Sequence, residues 1–232
     1  MTMIPKRPVP GRPLAVSEVS LGCAQLGNMY REVPDADARS TVDAAWALGV
    51  RYFDTAPHYG LGLSERRLGA ALARHARGDY VVSTKVGRLL VPNSAPTGSD
   101  LMAGGFDVPD DLRRCFDFSR DGVYRSLESS LERLGLDHVD IVYVHDPDDH
   151  IATAISEALP ALIELREQGV INAVGVGMNQ WQAPLQMVRE TDLDVVMLAG
   201  RWTLLDRSGE QLVAECADRK QASKQASNTT CT

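Results

Sequence analysis

No uninterrupted apolar stretch in the 232 residues approaches the roughly 18 that a membrane-crossing helix needs, so no membrane partner is expected. Cysteine is scarce: Cys23, Cys115, Cys216 and Cys231 are scattered without a C-x-x-C spacing. That disfavours a disulfide or zinc framework and points to free thiols in a reducing cytoplasm. Positive charge is also in deficit, 24 Lys and Arg against 31 Asp and Glu for a net charge of -7. Such a balance is a poor match to nucleic acid or to an anionic membrane surface. Residues 1–13 are basic and proline-rich but carry no apolar h-region, which excludes a secretory signal there. No Gly-x-Gly-x-x-Gly follows the first predicted strand, and this speaks against a dinucleotide-binding doubly wound sheet.

What is present is an ordinary apolar share of 44% and a strict alternation of short apolar strands with helical stretches. Strands are predicted at residues 19–24, 52–54, 80–85, 139–144, 173–176 and 195–198. Helices are predicted at 37–48, 65–76, 121–134, 152–168, 183–190 and 209–217. Gly49, Gly135 and Gly169 stand where helix C-caps belong, and Ser64 is a fair N-cap. Alternation of this kind makes βαβ units and a parallel sheet. The fold class is therefore α/β, of the (β/α)8 TIM-barrel type, incomplete with about six βα units where closure needs eight. Residues 1–217 are read as this partial barrel domain. Residues 218–232 are polar and low in complexity, and are expected to be a disordered tail. Residues 87–120 hold several prolines and glycines and no sustained period, so they are expected to form a long functional loop. The chain looks cut short, which would leave the first and sixth strands as open apolar edges and allow self-association.

Four polar residues fall at or just beyond predicted strand tips: Asp54, Tyr59, Lys85 and His145. Each has a bland reading: a turn cap, a rim aromatic, a solvated strand end, a core histidine. In a barrel, however, strand C-termini converge on one face. A phenol titrates near 10, too high for efficient proton exchange at neutral pH. A neighbouring ammonium favours the phenolate, and a carboxylate can hold that ammonium. Tyr59 is then a general acid/base toward a carbonyl or alcohol, with His145 orienting the same oxygen. The cluster His145, Asp146, Asp148, Asp149 and His150 is read as a solvated helix start rather than a metal site.

The text Phe53-Asp54-Thr55-Ala56 with Tyr59-Gly60, Ser83-Thr84-Lys85, Val144-His145-Asp146 and Gly175-Val176-Gly177-Met178-Asn179 resembles the aldo-keto reductase family. The resemblance covers roughly residues 13–217. Leu21-Gly22-Cys23-Ala24, 175–181 and 198–206 look most like its sugar 1-dehydrogenases, which oxidise L-fucose, D-arabinose or L-galactose to lactones. It implies an NADP or NAD cofactor across the barrel mouth, with Asp54, Cys23, Asn179 and Trp202 as cofactor-binding residues and a small carbonyl or sugar substrate. Trp202 stands where the family usually stacks a tyrosine on the nicotinamide. Phe106 and Phe116 are candidate pocket walls. The family's adenosine-phosphate contacts follow the seventh and eighth strands, so weak or absent activity is expected of this polypeptide. The alternative is a catalytically silent chain, or an interaction subunit, that retains the four residues.

Overall fold

The computed structural model describes residues 4–219 and the backbone of Ala222–Ala226. An antiparallel hairpin comes first, β1 (Lys6–Pro8) against β2 (Ala15–Ser17). Then β3 (Leu21–Gly22) leads to α1 (Asp35–Ala47), and β4 (Tyr52–Asp54) to α2 (Leu63–Leu72). β5 (Val81–Val86) is followed by an arm made of β6 (Arg88–Pro92), α3 (Leu101–Gly104) and β7 (Leu112–Phe116), before α4 (Arg120–Leu134) packs back. β8 (Ile141–His145) runs into α5 (Ile151–Thr153), a π-helical turn at Ala154–Ala158 and α6 (Leu159–Glu167). β9 (Ala173–Met178) precedes α7 (Gln182–Glu190), β10 (Val195–Ala199) precedes α8 (Glu210–Asp218), and β11 (Ala222–Ala226) follows.

The sheet order is β11-β10-β9-β8-β5-β4-β3, every neighbouring pair parallel. It curls into part of a (β/α)8 barrel. Val, Ile and Leu dominate these strands because both sheet faces are covered. The outer face packs on the helices through Phe53, Val82, Val142, Val144, Val174 and Val196, with Leu68, Leu72, Leu159, Leu162 and Met187 opposite. The inner face holds Tyr52, Val81, Ile141, Tyr143, Ala173, Val195 and Met197, and Val9 and Leu14 of the hairpin close it from the N-terminal end. No helix among the described residues is long and apolar enough to cross a membrane.

The six expected strands and six helices all form, with ends shifted by a few residues. Three expectations are corrected. Segment 87–120 is no irregular loop: β6 and β7 pair antiparallel from Arg88↔Phe116 to Pro92↔Leu112. Its long, Pro- and Gly-rich tip hid the pairing. Ser64 does not cap α2, whose N-cap is Gly62; the Ser64 hydroxyl is buried and donates to the Cys23 carbonyl at 2.6 Å. Finally, part of the polar segment expected to be a disordered tail forms β11, in register Val195↔Ala222 to Ala199↔Ala226. Backbone pairing asks little of an edge strand's side chains, so an apolar pattern could not announce it. The sixth expected strand, β10, is thus paired on both sides, and the open edges are β3 and β11. Residues 220, 221 and 227–232 of that tail lie outside the described residues.

Candidate active site

Asp54 ends β4, Lys85 lies near the end of β5 and His145 ends β8, so three adjacent strands deliver them to one mouth. Tyr59 arrives from the loop after β4. Its position depends on a close backbone crossing: a Cβ on Gly60 (φ +62°) would lie 2.2 Å from the Gly27 carbonyl oxygen, and one on Gly27 would lie 2.6 Å from the Tyr59 carbonyl carbon. Only glycine fits at both places. The loop is thereby pinned to the turn after β3, with the phenol turned inward.

The Lys85 ammonium donates to Asp54 Oδ2 at 2.6 Å and to the Thr55 carbonyl at 2.9 Å. It also lies 4.7 Å from the Tyr59 ring centre. Asp54 Oδ1 accepts from Ser83 Oγ at 2.6 Å. Lys85 is only 2% exposed, so the pair is a buried one, whose two carboxylate oxygens and ammonium are all engaged. Burial pushes the Lys85 ammonium down, but Asp54 and Tyr59 together hold it above its ordinary range. Lys85 is therefore a fixed cation. Burial raises the Tyr59 phenol, Lys85 opposes this and Asp54 reinforces it, with a net rise. The sequence argument expected Lys85 to win; desolvation of the enclosed phenol outweighs it.

The His145 ring meets Tyr59 edge-on, centres 5.9 Å apart. Its pKa is driven well below the usual imidazole value by burial first, then by Arg88 and Lys85, so the ring is neutral at physiological pH. Asp146, at an unusual φ of +40°, brings Oδ2 within 3.5 Å of His145 Nε2 and accepts from Arg88 Nη2 at 2.7 Å. The arm therefore reaches back over the mouth. It sends a second arginine there: Arg114 donates through Nε to His58 Nδ1 and through Nη2 to the His58 carbonyl at 2.9 Å. Asp100 holds the other side of that guanidinium at 2.6 and 2.7 Å. Sequence reasoning missed Arg88, Arg114, Asp100 and His58, since none sits on a strand tip and their pairings span up to 58 residues.

The remaining predicted positions divide. Phe106 is buried and stands 6.1 Å from Tyr59 and 5.2 Å from His58, ring centre to ring centre, as a wall. Phe116 is half-exposed and stacks on Phe118, outside the four-residue cluster. Asn179 follows β9 and is exposed, its carbonyl accepting from Arg201 Nε at 3.0 Å. Trp202 follows β10, is partly buried, and carries the Arg207 guanidinium 4.8 Å from its ring centre. Cys23 is fully buried just past the end of β3, its thiol directed to the Leu21 carbonyl at 3.6 Å.

Comparison with known proteins places this geometry in context. The profile of the Aldo/keto reductase family matches residues 18–222. Over 209 residues the chain is 47% identical to D-threo-aldose 1-dehydrogenase of a Pseudomonas species, covering 88% of this chain and 63% of that protein. It is 39% identical to pyridoxal 4-dehydrogenase of Microbacterium luteolum, covering 89% and 65%. The chain thus spans just under two-thirds of the length of these relatives. Among solved structures, an aldo-keto reductase of Bacillus halodurans in its holo form superposes with a TM-score of 0.75 at 26% identity, over 96% of this chain and 65% of that one.

Proposed function

The chain belongs to the aldo/keto reductase family, and from that premise we propose that it moves hydride between a nicotinamide cofactor and the carbonyl or hydroxyl carbon of a small substrate, an aldose oxidised at C1. The observation that carries this reading is the buried Asp54–Lys85 pair lying under the Tyr59 ring with neutral His145 at its edge. Similarity to a D-threo-aldose 1-dehydrogenase supports the substrate class.

The residues at the mouth fit an anionic dinucleotide. Trp202 is partly exposed, Asn179 is exposed, and exposed Arg207 and Arg201, the latter paired with Asp206, stand on the same rim. A bound nicotinamide, as NADP or NAD, supplies or accepts the hydride. Tyr59 gives its hydroxyl proton to the carbonyl oxygen in reduction and takes it from the alcohol in oxidation. Lys85 stabilises the phenolate so formed, and Asp54 keeps the ammonium in place. His145 donates a hydrogen bond to the same oxygen as its charge develops. A neutral donor there does not compete with Tyr59 for the proton. We further place the protein in the cytoplasm, consistent with Cys23, Cys115 and Cys216 as free thiols. The open edges β3 and β11 are the surface through which it would self-associate.

The test is a titration with NADPH and NADH followed by tryptophan fluorescence, then initial rates of NADP and NAD reduction with aldoses. Tyr59→Phe is expected to bind cofactor normally and to lose about 10² to 10⁴ in turnover. Absence of saturable cofactor binding by the folded chain, or full turnover by Tyr59→Phe, overturns the reading.

A further inference from the structure

Between Tyr59 and the arm stands a second imidazole whose chemistry the proton-transfer cluster does not use. His58 packs beside His145 with ring centres 5.7 Å apart, beside Tyr59 at 6.0 Å and against Phe106 at 5.2 Å. Its Nδ1 faces the Arg114 guanidinium. A guanidinium only donates, so Nδ1 must present its lone pair and the ring proton must sit on Nε2. That assignment is secured from the far side, because Asp100 grips Arg114 in a bidentate pair and both residues are largely buried. Burial, Arg88, Arg114 and Lys85 all disfavour a second proton on the ring. Nε2–H has no protein acceptor among the described residues, and it is not an enclosed atom. The neutral ring is therefore a fixed, unspent donor beside the Tyr59 and His145 rings.

We propose that His58 is a specificity-determining residue whose Nε2–H binds the hydroxyl on the carbon next to the one being oxidised, so that the site selects α-hydroxy carbonyl compounds and their hemiacetals over simple aldehydes. The proposal rests on the aldose-oxidising reading above and deepens it. Two neutral imidazoles and one phenol around a pair of adjacent oxygens match a vicinal arrangement, with Tyr59 and His145 on the reacting oxygen and His58 on its neighbour. Arg114 is a positioning residue that fixes the tautomer, and it ties substrate choice to the arm that carries it.

D-arabinose and 2-deoxy-D-ribose differ only in the hydroxyl at C2, and they make the test. The full chain is expected to prefer D-arabinose in kcat/KM by about tenfold, the net worth of one hydrogen bond. His58→Phe, which keeps a ring against Phe106, should collapse that ratio toward unity, and His58→Gln, which restores an N–H, should recover part of it. A ratio left unmoved by His58→Phe overturns the proposal, since a purely structural loss would lower both substrates together. Nitrogen-15 spectra of the histidine rings form the second arm. His58 should show an unprotonated Nδ1, and its Nε2 resonance should move when D-arabinose is added with NADP but not with 2-deoxy-D-ribose. If neither sugar is turned over, the oxidoreductase reading fails by itself, and an Nε2 resonance indifferent to both sugars sinks this one.

Discussion

At the scale of single residues, the centre of the site is a charge pair that the barrel interior has been built to hold. Below it the hydroxyls of Tyr143 and Tyr52 lie 2.9 Å apart, fully buried. Ser83 spends its one proton on Asp54. Removing the cation of the pair should be costly: Lys85→Met leaves Asp54 enclosed without a counter-charge, and about 3–5 kcal/mol should be lost in urea denaturation. Pairing it with Asp54→Asn should cost clearly less than the sum of the two single changes, because they share one interaction. A second residue-scale expectation concerns acid. Burial lowers the His145 pKa well below normal and that of His58 to about 2. As pH falls below about 6.5, the unfolded chain protonates these rings and the folded chain does not. Stability should therefore drop with pH, by up to about 1.4 kcal/mol per pH unit for each ring. Urea midpoints at pH 7.5, 6 and 5 check this, and His58→Phe should flatten the slope.

At the scale of elements, what could be read from sequence was what local chemistry determines. Runs such as Ile141–His145 and Ala173–Met178 announce buried strands, and Gly135 in the left-handed region ends α4 where the periodicity stops. Asp54, Lys85 and His145 were legible for the same reason, since strand tips in this architecture share a face. What could not be read was contact made by residues far apart in sequence. The hairpin β6–β7 joins segments across Pro92 and a long insertion, and Arg114 meets His58 56 residues away. The full burial of the Cys23 thiol was not legible either, because a strand tip fixes the backbone but not which way the next turn throws the side chain. Close helix packing is likewise invisible until the helices are seen together. Gly69 of α2 lies so near the end of α4 that a Cβ there would sit 2.0 Å from the Leu134 carbonyl oxygen. Gly69→Ala improves helix propensity by roughly 1 kcal/mol, yet the clash is with backbone and cannot be absorbed by a rotamer. A net loss of about 1–3 kcal/mol is expected, read as a lower thermal midpoint.

At the scale of the whole molecule, one device recurs on the face opposite the site. Asp140, just before β8, accepts from the Val82 amide of β5 at 2.8 Å and pairs with Arg77 at 2.6 Å. Asp194, just before β10, accepts from the Val174 amide of β9 at 2.8 Å and pairs with Arg166 at 2.9 Å. Each acid bolts its strand to the preceding one and to a helix end. Asp194 has a third partner, Arg12 in the N-terminal hairpin, at 2.5 Å. Asp194→Ala should leave the Val174 amide unpaired and Arg166 and Arg12 with only Asp192 as an acidic partner, at a cost of about 1–3 kcal/mol in urea denaturation. Arg12→Ala alone should cost less, because Arg166 would still satisfy the carboxylate.

That last contact joins residues 182 positions apart, and it sets a timetable for the chain as it is made. The hairpin that closes the inner core leaves the ribosome well before the carboxylate that clamps it. At about 5–20 residues per second the interval is on the order of ten to forty seconds. Throughout that wait Val9 and Leu14 have only part of their eventual partners, since Val195 and Met197 are still to come. The hairpin is thus made long before it can be locked.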